Sequence, residues 1–142
     1  MKNKFHISES TAEERNLVFR KINDFNKNKV PFTQSPDSIF FNYNIKNEKG
    51  EIIGGITSSM HGWNIIFVDV LFIDESYRHH GLGSALIAHL EKEAKAKGCY
   101  LIILDTFDFQ AKDFYLKLGF KVIGTIDDCP PGHQRFYLTK RI

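Results

Sequence analysis

The chain of 142 residues has two cysteines, one tryptophan, two methionines and four prolines, and each scarcity closes off a class. Two cysteines in a chain with no secretory signal read as two reduced thiols rather than a disulfide framework. Neither Cys99 nor Cys129 stands beside a histidine, so a catalytic thiol has no local partner. Charge of one sign is also missing. Against 19 Lys and Arg stand 17 Asp and Glu, a net charge of +2, far short of a surface built to neutralise phosphates. Nucleic acid is therefore not an expected partner. Residues 1–30 are broken by charge every few positions and hold no apolar run long enough for a signal peptide or a membrane span. The expectation is a cytoplasmic protein without membrane contact. No internal repeat or low-complexity segment is present, and at about 150 residues per domain the length predicts one domain, 1–142.

What is abundant is aromatic. The composition is otherwise that of a globular protein, with 42% hydrophobic and 25% charged residues. Thirteen Phe and five Tyr are more rings than a small core needs, so some are expected to line a site. Phe107, Phe109, Phe114 and Tyr115 form one cluster in sequence, and Phe32, Phe40, Phe41 and Tyr43 another.

Ser8 to Glu14 combines cap-type residues with early carboxylates, and Leu17, Val18, Ile22 and Phe25 recur at helical spacing, which predicts a helix near 11–27. Pro31 and Pro36 end it. Residues 40–45 alternate, Asn47 to Gly50 turn the chain, and 51–58 return as an antiparallel hairpin. Residues 64–73 are nearly all apolar, interrupted by Asp69, and read as a central strand. Leu82, Leu86, Leu90 and Ala94, with Ala85 on the same flank, predict a helix over 82–97 capped by Gly98. A second buried strand follows at 100–106, with Cys99 as a small buried hydrophobe at its start. A short helix over 109–118 and a strand pair, 120–126 with 136–141, complete the chain. Strand–helix–strand across 64–106 requires one parallel pair inside an otherwise antiparallel sheet flanked by helices, an α/β (α+β) fold.

Between the strand and the 82–97 helix lies Arg78-His79-His80-Gly81-Leu82-Gly83-Ser84. A glycine-rich loop entering a helix is an anion site by construction, because the first helical amides lack acceptors and the dipole favours negative charge. The dinucleotide fingerprint fails for want of a third glycine, and the P-loop for want of Lys after Gly83. A plain strand–helix turn with glycines for close packing is the bland alternative. The adjacent His79 and His80 lack the one-face spacing of a helical metal-binding pair and no cysteine joins them, so no metal is expected.

Arg78-x-x-Gly81-x-Gly83 after an apolar strand resembles the acyl-CoA signature of the GNAT superfamily of N-acetyltransferases. About 30 residues on, Ala111-x-x-Phe114-Tyr115-x-x-x-Gly119-Phe120 resembles the superfamily's second hallmark, a helix carrying Tyr followed by a Gly-Phe turn. The likeness covers residues 64–124 well, the final hairpin in pattern only, and residues 1–45 hardly at all. It implies the acyl-CoA N-acyltransferase fold, in which the strand before the glycine loop splays from its parallel neighbour. It also implies transfer of the acetyl group of acetyl-CoA to a primary amine of a small molecule or peptide, by direct attack in a ternary complex. By the same resemblance, Leu71, Phe72 and Ile73 lie along the pantetheine arm, amides from His79 to Ser84 face the pyrophosphate, and Arg78 adds positive charge. Phe114 borders the cofactor and Tyr115 meets the sulfur as general acid, its alternative being a core ring with a bonded hydroxyl. Asp69 is the candidate base, directly or through water. Burial between Val68 and Val70 would raise its pKa, and a solvated structural Asp is the alternative.

One position departs from the family. Asp108 stands where Asn is frequent, and an ionised Asp accepts but cannot donate, so Gln110 is a candidate replacement for the cofactor contact. His89 reads as a surface or boundary residue, and His133 as a residue able to reach the acceptor cleft from the last turn. Two other functions fit the same loop: a catalytically silent CoA-binding regulatory module, and a nucleotide-phosphate binder that the missing Lys makes poor. The acceptor is unnamed, and a monomer or homodimer is expected.

Overall fold

The computed structural model describes residues 4–142. They divide into two compact units, one reaching to Phe32 and the other spanning Thr33–Ile142.

The first unit holds α1, Ala12–Lys29. Thr11 and Glu14 form a capping box, Glu13 and Glu14 charge the first turn and Lys27 and Lys29 the last, so both helix ends carry charges that oppose the dipole. Leu17, Val18, Ile22 and Phe25 do recur as expected, yet each remains about half exposed.

The second unit is built on a seven-stranded sheet, β1 (Ser38–Phe40), β2 (Tyr43–Lys46), β3 (Ile52–His61), β4 (Ile65–Ile73), β5 (Leu101–Phe107), β6 (Lys121–Asp127) and β7 (Gln134–Arg141). The order is β1-β3-β4-β5-β7-β6, with β2 continuing along the same edge of β3 as β1. All neighbours are antiparallel except β4 and β5. A short 3-10 turn, Glu75–Tyr77, precedes α2, Leu82–Ala96, and α3, Lys112–Lys117, joins β5 to β6. The mixed, mostly antiparallel sheet with one parallel pair is as the sequence predicts.

The single strand expected over 40–45 is in fact two. At the break, Asn42 Oδ1 accepts from the Ser58 amide at 3.1 Å, Ser58 Oγ donates to the Phe41 carbonyl at 2.7 Å, and the Phe41 amide reaches the Ser58 carbonyl at 2.9 Å. A side-chain oxygen thus replaces a ladder acceptor, which stops the strand without leaving a polar group orphaned.

The core lies on one face of the sheet. Leu86, Ile87, Leu90 and Ala94 of α2 are buried with Ile56, Met60, Ile66, Val68, Ile102, Leu104 and Leu138. Ile87 shares this face where the sequence put Ala85, which stays exposed. Cys99 is buried as expected, its Sγ 3.4 Å from the Leu101 carbonyl, and burial pushes its thiol pKa up.

Candidate active site

β4 and β5 share only three register pairs, Ile65–Phe67 with Leu101–Ile103. From there β5 continues beside β7 alone, so the β5-facing edge of β4 over 68–73 has no strand partner. The parting coincides with an irregularity in β4. Thr57 pairs with Val70 and Ser58 with Val68, which leaves Asp69 as an extra residue. Such a bulge bends the strand and raises its twist. It also shifts the phase of the side chains: Ile66 and Val68 are buried before it, and Leu71 and Ile73 pack on the same core after it, while Val70 and Phe72 are exposed. One inserted carboxylate therefore keeps an almost unbroken apolar run in register with a one-sided core.

At the end of β4, Arg78 Nε donates to the Ile73 carbonyl at 2.8 Å and its guanidinium covers the Phe72 ring at 5.4 Å. His79 and Gly81 both hold left-handed φ, 66° and 77°. The first bond of α2 is from the Ala85 amide to the Gly81 carbonyl at 3.0 Å, so the amides of Leu82, Gly83 and Ser84 lie before the helical ladder. No side chain caps this end and no acid stands in its first turn. Gly83 serves another need, because a Cβ there would fall 3.1 Å from Phe114 Cζ. The glycine is what lets α3 close on α2.

Tyr115 is 6% exposed, with its ring edge-on to Phe114 at 5.1 Å and to Phe120 at 5.6 Å. Among the described residues its hydroxyl has no hydrogen-bond partner, so of the two sequence readings the core-packed ring is present without the bonded hydroxyl. Burial, and secondarily the Asp105 carboxylate, push its pKa up to about 12. The phenol therefore stays protonated near neutrality and can act as a donor. Asp69 is exposed rather than buried between Val68 and Val70, because the bulge takes it out of the alternation.

Asp108 and Gln110 spend their acceptors on the protein. Asp108 Oδ2 accepts from the Gln134 amide and Oδ1 from His133 Nδ1, both at 2.8 Å. The Gln134 bond first, and His133 after it, hold the Asp108 carboxyl below the usual carboxylate range. Gln110 Oε1 accepts from the Phe107 amide at 2.8 Å and closes the end of β5. On the face of β5 away from the core, Arg135 Nε donates to Asp105 at 2.6 Å, and its guanidinium lies between the rings of Phe107 (5.5 Å) and Tyr137 (5.2 Å). The sequence reading missed the Asp105–Arg135 and Asp108–His133 pairs. Alternation along β5 and β7 would have put residues 103, 105, 107 and 135, 137 on one face, but pairing them needs the register of strands 30 residues apart.

The aromatic clusters separate. Phe107 and Phe109 stack at 5.2 Å near the end of β5. Phe41 is core and Phe40 exposed. Tyr43 lines an open groove between β2 and α2 with Asn42, Ile45, Ala85, Leu86 and His89, meeting the exposed His89 ring edge-on at 4.5 Å. Among the described residues no group of three or more His, Cys, Asp or Glu could hold a metal, and no helix is long and apolar enough to cross a membrane.

Comparison with known proteins bears on this geometry. The model of the acetyltransferase (GNAT) family matches residues 7–120. A blasticidin-S acetyltransferase from Streptomyces morookaense is 38% identical over 96 residues, 67% of this chain and 70% of that protein. A crystal structure of an acetyltransferase from Bacillus cereus superposes with a TM-score of 0.87 at 37% identity, covering 97% of this chain and 98% of the other. A Bacillus anthracis protein of the streptothricin acetyltransferase kind, solved in complex with acetyl coenzyme A, superposes with a TM-score of 0.64 at 25% identity, over 78% of this chain and 66% of its own. A splayed parallel pair, an uncapped glycine-led helix and a family match across most of the chain agree, and the chain belongs to the acetyltransferase (GNAT) family.

Proposed function

We propose that residues 1–142 form one N-acetyltransferase domain that moves the acetyl group of acetyl-CoA onto a primary amine of a small molecule or peptide, by direct attack in a ternary complex. The observation that carries this reading is the parting of β4 and β5 after three pairs, directly upstream of a helix start with neither cap nor acid. An unpaired strand edge can bond an amide-bearing chain as another strand would, and the pantetheine arm lies there along Leu71, Phe72 and Ile73. The pyrophosphate takes the amides from His79 to Ser84, with His80, Gly81 and Leu82 between them and Arg78 adding charge. Phe114, packed on Gly83, borders the same end. Asp108, whose acceptors are taken, acts on the cofactor side by shaping the end of β5, while Gln110, held through Oε1, keeps its Nε2 to donate to the cofactor. The acetyl-CoA complex of the Bacillus anthracis protein supports the cosubstrate.

In the transfer, the amine nitrogen attacks the thioester carbon, a C–N bond forms and the C–S bond breaks. Tyr115 is the donor to the departing thiolate. Asp69, exposed at the bulge, or a water is the proton acceptor that the β4 edge offers for the amine, and the base is open between them. The test is calorimetry with CoA, together with thiol release from acetyl-CoA over an amine panel containing blasticidin S, streptothricin, glucosamine 6-phosphate, tryptamine and an alanine-initiated peptide. Micromolar CoA binding and acetylation of at least one amine are expected. Absence of CoA binding at micromolar concentration overturns the reading, and binding without turnover makes the domain a silent CoA module. Tyr115→Phe should lose turnover while keeping CoA affinity.

A further inference from the structure

We propose that the Asp108–His133 pair, carried by the loop after β5 and the β6–β7 turn, is the proton acceptor for the incoming amine. The inference rests on the acetyltransferase reading and names the base that reading leaves open. Asp108 is fixed at both oxygens, by the Gln134 amide and by His133 Nδ1, each at 2.8 Å. An ionised carboxylate only accepts, so the shared proton belongs to Nδ1 and the lone pair to Nε2. The ring is also clamped. Phe109 meets it edge-on, with centroids 5.2 Å apart at 84°, and Phe109 in turn stacks on Phe107 at 5.2 Å. An orienting carboxylate, a held imidazole and one open nitrogen are the parts of a general base. With its side chain 48% exposed, His133 can pass the proton on to solvent.

The pair also has the right address. Asp105 of β5 is the charge felt by Tyr115, and Phe107 lies two residues further along the same strand, a rise of about 7 Å. The rings of Phe107 and Phe109 continue that line to His133, past the end of β5 that has parted from β4, so the pair stands on the side toward which the two parallel strands open. The charges around it are committed elsewhere. Asp128 Oδ1 accepts from the Gly132 amide at 3.3 Å, Asp127 Oδ1 from the Gln134 side chain at 2.9 Å, and Arg135 holds Asp105. Asp69 has no such orientation, because among the described residues no hydrogen bond holds it. In the balanced step, an ammonium acceptor gives one proton to His133 Nε2 and thence to water. It sends a second, by way of Tyr115, to the sulfur of the CoA formed, and keeps the third in the amide.

The test measures kcat against pH for the first amine of the panel that is acetylated, in the unaltered protein and in His133→Gln, Asp108→Asn and Asp69→Asn. Thermal melting reports that each variant is folded, and calorimetry reads CoA affinity separately. His133→Gln is expected to lower kcat about 10²-fold and erase the acid limb of the profile, with CoA affinity held within about twofold. Asp108 is a positioning residue. Asp108→Asn removes the carboxylate that fixes the ring, so kcat should fall and the ¹⁵N spectrum of His133 should lose its single Nδ1–H tautomer. A His133→Gln enzyme within about threefold of the unaltered kcat, or one that keeps its acid limb while Asp69→Asn loses it, overturns the dyad alone. No transfer to any amine by the unaltered protein overturns the acetyltransferase reading, and the dyad falls with it.

Discussion

The two long helices begin in opposite ways. At α1, Thr11 Oγ1 accepts from the Glu14 amide and Glu14 Oε1 accepts from the Thr11 amide, both at 3.2 Å. At α2 the same two positions are Gly81, which has no side chain, and Ser84, which makes no cap. The spacing is identical and the chemistry is withheld. With glycine at the cap position, leaving the side-chain cap out forgoes only about a few tenths of a kcal/mol of helix stability, and amides satisfied by their own chain have nothing left for a ligand. α1 is closed on itself, whereas the start of α2 carries no side-chain cap and is where we propose that the anion binds.

The sharpest way to break this contrast is to give α2 what α1 has. Ser84→Glu puts a carboxylate at the position that Glu14 holds in α1, where it is favourable to the helix by about 0.3–1 kcal/mol. Against a pyrophosphate on the same amides it is a like charge in partial burial. CoA affinity should fall about 10²-fold, near 2.7 kcal/mol, while the melting temperature holds or rises. Calorimetry and thermal melting read the two effects separately, and unchanged affinity would remove the anion from this helix.

A smaller break comes from the packing behind the same end. Gly83→Val sets branched carbons where a Cβ alone meets Phe114 Cζ at 3.1 Å, so α3 must move off α2. CoA binding should weaken about tenfold, about 1.4 kcal/mol. A variant that binds as well as the original would show that the α2–α3 approach does not shape the site.

Much of this was legible because local chemistry wrote it. The glycine loop, the recurrence along α2 and the Tyr–Gly–Phe run are each local in sequence, and the structure has them where the sequence puts them. Asp69 was visible as the one charge in an apolar strand, but whether it is buried or bulged depends on Thr57 and Ser58 across the ladder. Asn42 likewise reads as one more alternating residue until Ser58 is set opposite it. The Asp105–Arg135 and Asp108–His133 pairs bridge 30 and 25 residues. Register between β5 and β7 creates them, and no window of sequence contains it.

Alkali should separate the two helix starts further. Tyr115 belongs to the helix packed on the open end, and burial with Asp105 raises its pKa from 10.0 to about 12. A folded pKa above the unfolded one means that the folded state holds its proton more tightly. Stability is thus fully present below pH 10 and is lost as pH rises toward 12. By pH 11 the loss from Tyr115 should reach about 1.4 kcal/mol, and Tyr115→Phe should remove that share while leaving those of Cys99 and Tyr43, whose pKa values burial also raises. Denaturant midpoints at pH 9 and 11 measure it, and equal slopes in both proteins would mean that the phenol ionises freely.

The smallest change is at the closed end. Thr11→Ala removes the side-chain oxygen that satisfies the Glu14 amide and should cost about 1 kcal/mol of helix stability. The loss should be seen as faster amide exchange in the first turn of α1, where no residue is buried to hold the backbone by other means. CoA affinity should not change, because no part of this cap is offered to a ligand. If Thr11→Ala weakened CoA binding as Ser84→Glu does, the difference between the two helix starts would lose its meaning, since both would then answer to the same anion.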